Sequence, residues 1–304
     1  MKCLRFLCTT LLLLCCVAVH AHDFEVDGIY YNITDAENKT VEVTISGTYY
    51  YTYSCDLVIP GTVTYKGLTY DVTGIKQGTF FMGYIRSLTI PKSVVRLEGM
   101  FTCWGYPLPV QELTSIIVEE GNPVYDSRQN CNAIIKTATQ TLLYGCNNTI
   151  IPEGIEVIGY EAFEGCSGLT KIHIPQSVKK IDWEAFSRCT ALKTVHIDNL
   201  AAWCNIDFQC TLFSGNEGEI YLNKELVTNL TIPDGISKLS SRAFQNCTSL
   251  VSLTIPQGLT QIGSTSFAGC SSLENVVVEN GNPVYDSHNN CNAIIETATK
   301  SLVL

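Results

Sequence analysis

The chain has 304 residues, of which 46% are hydrophobic and 16% are charged, and its formal net charge at pH 7 is −10. The composition excludes wholesale disorder, because there are enough apolar side chains to form a core. The acidic balance argues against nucleic acid as a partner, since such a partner requires a surface rich in Lys and Arg.

The first 21 residues have the pattern of a secretory signal peptide. Lys2 and Arg5 precede an apolar run from Phe6 to Val19, and Val19-His20-Ala21 approximates a small-x-small cleavage site. Cleavage there predicts an exported protein and lowers the net charge from −10 to −12. An uncleaved membrane anchor is the alternative. No later run reaches about 18 apolar residues, so no membrane span is expected after cleavage.

The cysteines indicate no complete disulfide framework. Four of the 15 lie within the signal peptide, so an odd number remains in an exported chain. No CxxC pair is present for zinc or dithiol chemistry.

Residues 22–56 are predicted to form an N-terminal β cap. The segments YYNIT, TVEVTIS and VTYKGLTYDV alternate apolar and polar residues, and Lys66-Gly67 suits a tight hairpin turn. A cap of this kind would close an open strand edge of the repeats that follow. Tyr49, Tyr51 and Tyr53 could stack against sugars, although sealing the cap against the first repeat is the favoured interpretation.

From residue 57 to residue 304 the chain is built from repeats of about 23 residues. Ala162-Phe163 and Cys166 return 23 positions later as Ala185-Phe186 and Cys189. An Ile-Pro pair recurs six times, starting at Ile59, Ile90, Ile151, Ile174, Ile232 and Ile255. Periods of 20–29 residues with L-x-x-L-x-L spacing are the signature of leucine-rich repeats.

Each unit is expected to contain a strand and a short helical turn. In Leu169-x-x-Ile172-x-Ile174, alternation buries the isoleucines and turns His173 outward. The Phe of each turn should fill the core in one column, formed by Phe163, Phe186, Phe244 and Phe267. The cysteines of the same turns should be small buried thiols, with a redox role as the alternative; they are Cys166, Cys189, Cys247 and Cys270. The predicted fold is a β-rich α/β-repeat solenoid in which stacked copies share one core.

The unit L-x-x-I-x-IP-x-x-V-x-x-I-x-x-x-AF-x-x-C resembles the BspA-like leucine-rich repeats of surface proteins of host-associated bacteria. AAWCNIDF, LNKELVTNLTIP and FEVDGIYYNIT also resemble recurrent segments of that family, so the similarity covers most of the chain from Phe24 to Leu304. The resemblance implies a surface protein that adheres to host matrix proteins or cells.

Three islands interrupt the predicted repeats, at residues 119–149, 198–229 and 279–304. GNPVYDS and CNAII occur in the first island and return in the third at an offset of 160. We expect both to form hairpins. The same offset predicts a counterpart of Cys146 just beyond Leu304, so the last repeat is expected to be truncated.

The sequence contains no GxSxG elbow, phosphate-binding GxxxxGK[ST] loop or HExxH pair, so neither an enzyme nor a cofactor is predicted. His173 and His196 could share a metal ion, but a plain surface pair is favoured without a third ligand. Asp126, Asn130 and Asn132 could offer oxygen ligands to calcium, although turn formation explains them better. No metal site is therefore predicted.

We predict that outward strand residues form an extended surface for a macromolecular partner. The residues assigned to it are Lys171, His173, Thr194, His196, Ser252 and Thr254. The expected partner is a host extracellular or cell-surface protein, and a glycan is the alternative. A rival surface is the pair of islands in which Tyr125 and Tyr285 are expected in loops.

Overall fold

The computed structural model describes residues 22–47, 53–80, 84–97, 99–103, 106–107, 112–213, 217–288 and 291–304. The regular structure of this part of the chain is almost entirely β. It also contains the helix α1 (Leu200–Cys204) and two 3₁₀ turns, Arg128–Asn130 and Thr137–Thr139. The predicted signal peptide, Tyr49 and Tyr51 lie outside the described residues. Within them, no helix is both long and apolar enough to cross a membrane.

Among the described residues, ten strands precede the first island hairpin: β1 (Phe24–Val26), β2 (Ile29–Asp35), β3 (Thr40–Thr44), β4 (Ser54–Val58), β5 (Thr62–Tyr65), β6 (Leu68–Ile75), β7 (Tyr84–Ile90), β8 (Thr102–Cys103), β9 (Tyr106–Pro107) and β10 (Ser115–Val118). Five of them form a sheet in the order β1-β2-β3-β6-β5. Strands β4, β7 and β10 form a parallel sheet, and β8 pairs with β9.

The N-terminal sheet extends beyond residue 56, where the sequence places the end of a cap. The predicted hairpin turn is present, because Lys66 and Gly67 adopt φ angles of 49° and 78° between β5 and β6. The hairpin then returns to the sheet, since β6 pairs in parallel with β3 and buries Val72 beside Val41. Asp56, the residue at the expected end of the cap, lies in β4, which belongs to the neighbouring parallel sheet.

The remaining strands are β11 (Tyr125–Asp126), β12 (Ile134–Lys136), β13 (Thr141–Tyr144), β14 (Val157–Ile158), β15 (Lys171–Ile174), β16 (Lys180–Ile181), β17 (Thr194–Ile197), β18 (Asp207–Phe208), β19 (Glu219–Leu222), β20 (Glu225–Leu226), β21 (Asn229–Thr231), β22 (Lys238–Leu239), β23 (Ser252–Ile255), β24 (Gln261–Ile262), β25 (Asn275–Val278), β26 (Tyr285–Asp286), β27 (Ile295–Glu296) and β28 (Ser301–Leu302). The three- and four-residue strands of the repeats make two parallel sheets, β15-β17-β19 and β21-β23-β25. The short strands β14, β16 and β18 also pair in parallel, as do β22 and β24.

The strand register reproduces the spacing of the sequence repeat. Lys171 pairs with Thr194, 23 residues later, and Ser252 pairs with Asn275 at the same interval. Alternation works as expected, because Ile172 and Ile174 are buried while Lys171 is exposed and His173 is half-buried. Prolines directly follow β15 and β23 and end the ladders, since proline has no amide hydrogen to donate.

The phenylalanines of the turns are buried in the core, as predicted. Each of the four is at most 4% exposed. Phe163 and Phe186 stack with their ring centroids 5.0 Å apart and their planes 6° apart. Phe244 and Phe267 stack in the same way at 5.7 Å. Side chains from Cys131 to Ile294 form one hydrophobic cluster, so the turns and the strands share a core.

The cysteines of the turns are structural thiols. Cys189 Sγ donates to the carbonyl oxygen of Phe163 at 3.1 Å, and Cys270 Sγ donates to that of Phe244 at 3.1 Å. Each thiol thus contacts the turn of the preceding repeat. Burial raises the pKa of Cys189 to about 12 and the pKa of Cys166 well above its usual value. A redox role requires an accessible thiolate, which this environment disfavours.

The first and third islands form the predicted hairpins. Strand β11 pairs with β12 and β12 with β13, and the strands β26, β27 and β28 repeat this antiparallel arrangement. Asn122 anchors the first hairpin: its Nδ2 donates to Val94 O at 2.8 Å and its Oδ1 accepts from Tyr125 N at 2.9 Å. Asn282 makes the matching bonds to Leu259 and Tyr285.

Candidate functional site

The outward side chains of β15, β17 and β19 lie in two transverse rows on one sheet. One row contains Lys171, Thr194 and Glu219, and the other contains His173, His196 and Tyr221. We call these six residues the central ladder. Neighbouring strands of a sheet are about 4.8 Å apart, so the ladder is a short, continuous surface. The sequence-predicted residues Lys171, His173, Thr194 and His196 are therefore adjacent in the structure.

Polar contacts hold the side chains of the central ladder in place. His173 Nε2 lies 2.7 Å from Asp198 Oδ2, which directly follows β17. The His196 ring packs against the Tyr221 ring with centroids 5.1 Å apart, and the Tyr221 hydroxyl donates to Glu219 Oε2 at 3.1 Å. Burial lowers the pKa of His196, and the charges of Lys171 and His173 lower it further, so this ring favours its neutral form.

Ser252 and Thr254 lie on a different sheet from the other four predicted residues. They belong to β23, where Ser252 pairs with Asn229 and Asn275, and Thr254 pairs with Thr231 and Val277. We call these six residues the C-terminal ladder. Ser252 Oγ donates to Asn229 Oδ1 at 2.6 Å. The sequence predicts one continuous surface from both ladders. In the structure they belong to two sheets, because β20 pairs antiparallel with β19 and a new parallel sheet starts at β21.

A family model described as "BspA type Leucine rich repeat region" matches residues 136–215 and 217–299 in six copies, which is more than half of the chain. The chain belongs to this leucine-rich-repeat family. The match includes every strand of the central and C-terminal ladders. A comparison with curated protein sequences gives no match.

Three solved bacterial structures resemble this BspA-type chain. A leucine rich cell surface protein of Faecalibacterium prausnitzii is 19% identical, with 92% of this chain covering 59% of that one at a TM-score of 0.35. A leucine-rich repeat protein of Bacteroides ovatus is 24% identical over 84% and 71% of the two chains, with a TM-score of 0.48. One from Eubacterium ventriosum is 20% identical over 76% and 62%, with a TM-score of 0.45. The chain thus spans less than two thirds of the Faecalibacterium protein.

Three residues of the site in this BspA-type chain are not indicated by the 23-residue period. Glu219 and Tyr221 belong to β19, which pairs with β17 at an interval of 25 residues, and Asp198 follows the strand instead of lying in it. The sequence assigns Glu219 and Tyr221 to the island 198–229. The sequence signal that could have identified this strand is the alternation of polar and apolar residues in Glu219–Leu222, where Ile220 is buried.

The island surface does not present its two tyrosines to a partner. Tyr125 and Tyr285 are 5% and 7% exposed, and both lie in strands instead of loops. The hydroxyl of Tyr285 accepts from Ile262 N at 3.1 Å, so this side chain packs the island against the repeats. The prediction that these two residues lie in loops is wrong, and the asparagine-anchored turns direct both rings into the core.

The side chains considered for calcium and for sugar binding already contact other residues of the chain. Asp126 accepts hydrogen bonds from Arg128, with its Oδ1 2.9 Å from Nε, so a guanidinium already contacts the carboxylate considered for calcium. Tyr53 is 4% exposed, and its hydroxyl accepts from Tyr30 N at 3.1 Å. Its ring packs edge-on against Phe80 at 5.6 Å, so Tyr53 seals the core instead of presenting a sugar platform.

Proposed function

We propose that this chain is an exported surface protein whose central ladder binds a host extracellular or cell-surface protein. The proposal rests on family membership and on the shape of the surface. The observation that carries it is the register that sets His173, His196 and Tyr221 side by side across three parallel strands. Such a row suits an extended, shallow contact and not a small-molecule pocket.

The composition of the central ladder also suits a protein partner. Tyr221 supplies an aromatic ring, while Lys171, Glu219 and the pair of His173 with Asp198 supply charges of both signs. Aromatic anchors surrounded by polar groups are typical of protein interfaces. Because His173 and Tyr221 are already held by contacts within the chain, binding would cost less side-chain entropy than it would on a mobile surface.

We extend the proposal to the whole architecture. Parallel strands at 23-residue intervals support a solenoid of stacked repeats over residues 57–304, with the N-terminal sheet covering its first edge. In this arrangement the solenoid presents the ladders and the islands interrupt it. A glycan partner is the alternative, for which Tyr221 is the aromatic residue of the ladder that could stack on a sugar.

Binding to an immobilised panel of purified host matrix and cell-surface proteins tests the function. The combined variant Lys171→Ala, His173→Ala and His196→Ala should weaken capture of any bound protein by at least about ten-fold, because about 1.4 kcal/mol of contact energy is sufficient for this loss. The matched control changes Lys238, Gln261 and His288 to Ala, which removes exposed side chains away from the ladder.

Equal binding by the ladder variant and wild type would reject the central ladder as the docking surface. A glycan array run beside the protein panel separates the two partner classes, because selective binding of one sugar without any protein capture would favour the alternative. Both variants should unfold within about 0.5 kcal/mol of wild type, since the side chains contribute little to the core.

A further inference from the structure

Three glutamates from the turns of two adjacent repeats lie together. Glu161 and Glu164 follow β14, and Glu184 follows β16. Among the described residues they are the one group of three acidic, histidine or cysteine side chains placed to share a metal ion, with ligand oxygens within 4.8 Å of one another. Glu161 is half-buried, Glu164 is buried and Glu184 is exposed.

The backbone fixes the two turns against each other. Glu161 and Glu184 occupy the same repeat position and share a left-handed conformation, with φ angles of 56° and 55°. Glu161 N donates to Trp183 O at 3.2 Å, and Phe163 N donates to Ala185 O at 2.7 Å. The carboxylates therefore project from a rigid frame, which is a requirement for a preorganised site.

Glu164 is the unusual member of the group. Its side chain is 7% exposed, and neither carboxylate oxygen has a hydrogen-bond partner among the described residues. Burial raises the pKa of Glu164 to about 7, with Glu161 and Glu184 adding to the rise and Arg188 opposing it. A buried carboxylate without a partner is costly, and buried charges are normally paired or bound to metal.

We propose that Glu161, Glu164 and Glu184 bind a divalent cation of the calcium type that links the two repeats. Carboxylate oxygens are hard ligands that suit calcium and disfavour the softer transition metals. Calcium–oxygen distances are about 2.4 Å. Because the three ligand oxygens lie within 4.8 Å of one another, one ion could contact all three. The ion would supply Glu164 with its missing partner and offset the repulsion among the three acids.

The position of the site connects it to the central ladder. The turn that carries Glu161 and Glu164 leads into β15, and the turn that carries Glu184 leads into β17. A cation held between the turns would therefore fix the spacing of the two repeats that present His173 and His196. Calcium sites of extracellular modules bind with Kd values of about 10⁻⁴–10⁻³ M, which is the range expected here.

Terbium luminescence locates the site directly, because Tb³⁺ replaces calcium and is excited through nearby aromatic rings. Tyr160 and Trp183 directly precede Glu161 and Glu184, and both rings are more than half exposed. Sensitised emission should rise on Tb³⁺ addition, fall when calcium is added and be reduced in Trp183→Phe. Emission that calcium does not displace would overturn the proposal.

Calcium-dependent stability provides the second test. Calcium should raise the Tm of wild type, and Glu164→Gln and Glu184→Gln should each weaken calcium affinity by at least about ten-fold through loss of a charged ligand. The matched control Glu274→Gln removes an exposed carboxylate elsewhere and should retain the full shift. Glu184 is exposed, so its variant keeps the test valid even if the Glu164 variant folds poorly. An equal Tm shift from NaCl at matched ionic strength, or an undiminished calcium shift in both variants, would refute the site.

Discussion

Replacement of Phe186 by Ala tests the packing of the repeats most directly. The ring is fully buried and stacks on Phe163 at 5.0 Å. Phe→Ala changes in cores cost about 3–5 kcal/mol, and a stacked aromatic partner contributes about 0.5–1.5 kcal/mol beyond the buried area. We therefore expect Phe186→Ala to lose about 4–5 kcal/mol. Phe267→Ala should lose about 3 kcal/mol, because that ring is 4% exposed and its stacking distance is 5.7 Å.

Guanidinium unfolding followed by tryptophan fluorescence measures both losses. Trp203 is 2% exposed and its Nε1 donates to Ala243 O at 3.0 Å, so its emission reports on the core between the two stacked pairs. Circular dichroism should be recorded in parallel, since repeat arrays can unfold in steps. Thr194→Ala on the surface is the control and should stay within about 0.5 kcal/mol. A cost below about 1 kcal/mol for Phe186→Ala would show that the ring does not fill the core, and our account of the stacking would be wrong.

Two other predictions concern titratable groups. In the native protein, a thiol reagent at pH 8 should modify the exposed Cys55 and Cys291. Cys166 and Cys189 should react only on unfolding, because burial raises their pKa values. Mass spectrometry of peptides identifies the modified positions, and rapid labelling of Cys166 in the native protein would contradict its burial. The pKa of His196 should rise in Lys171→Ala, since removal of a nearby positive charge favours the protonated ring. Because the folded-state pKa is depressed, the stability contributed by neutral His196 is present above its ordinary value of about 6.5 and is lost as pH falls below it. NMR titration of the imidazole signals in wild type and variant measures the shift, and an unchanged or lower pKa in Lys171→Ala would refute the electrostatic cause.

The strand register could be predicted because it depends on local periodicity. Alternation within Lys171–Ile174 determines which side chains turn outward, and the 23-residue interval places His173 opposite His196. Glu219 could not be placed in this way, because the segment that contains α1 changes the next interval to 25 residues. Periodicity is informative only while consecutive units have the same length.

Long-range pairing limited the prediction elsewhere. The turn at Lys66-Gly67 is encoded locally, but the return of β6 to β3 joins residues about 30 positions apart and is set by burial of Val41 and Val72. The prediction that Tyr285 lies in a loop was wrong for a similar reason. Its direction depends on bonds from Asn282 to carbonyl groups of the preceding repeat, and no motif around Tyr285 reveals them.

Repetition also supplies an internal reference for the proposed cation site. The residue after each Ala-Phe pair is Glu164, Ser187 or Gln245 in successive copies. Gln245 Oε1 is also buried without a hydrogen-bond partner among the described residues, so the fold itself tolerates an unpartnered neutral acceptor at this position. The positions that match Glu161 and Glu184 are there occupied by Arg242 and Thr265, which cannot supply carboxylates. Only the copy with an acidic residue at the buried position also has two acids around it, so only that copy can offer three carboxylates to a cation. Calcium should therefore stabilise the repeats that contain Glu164 and leave those around Gln245 unaffected, a difference that hydrogen exchange of the two turns can measure.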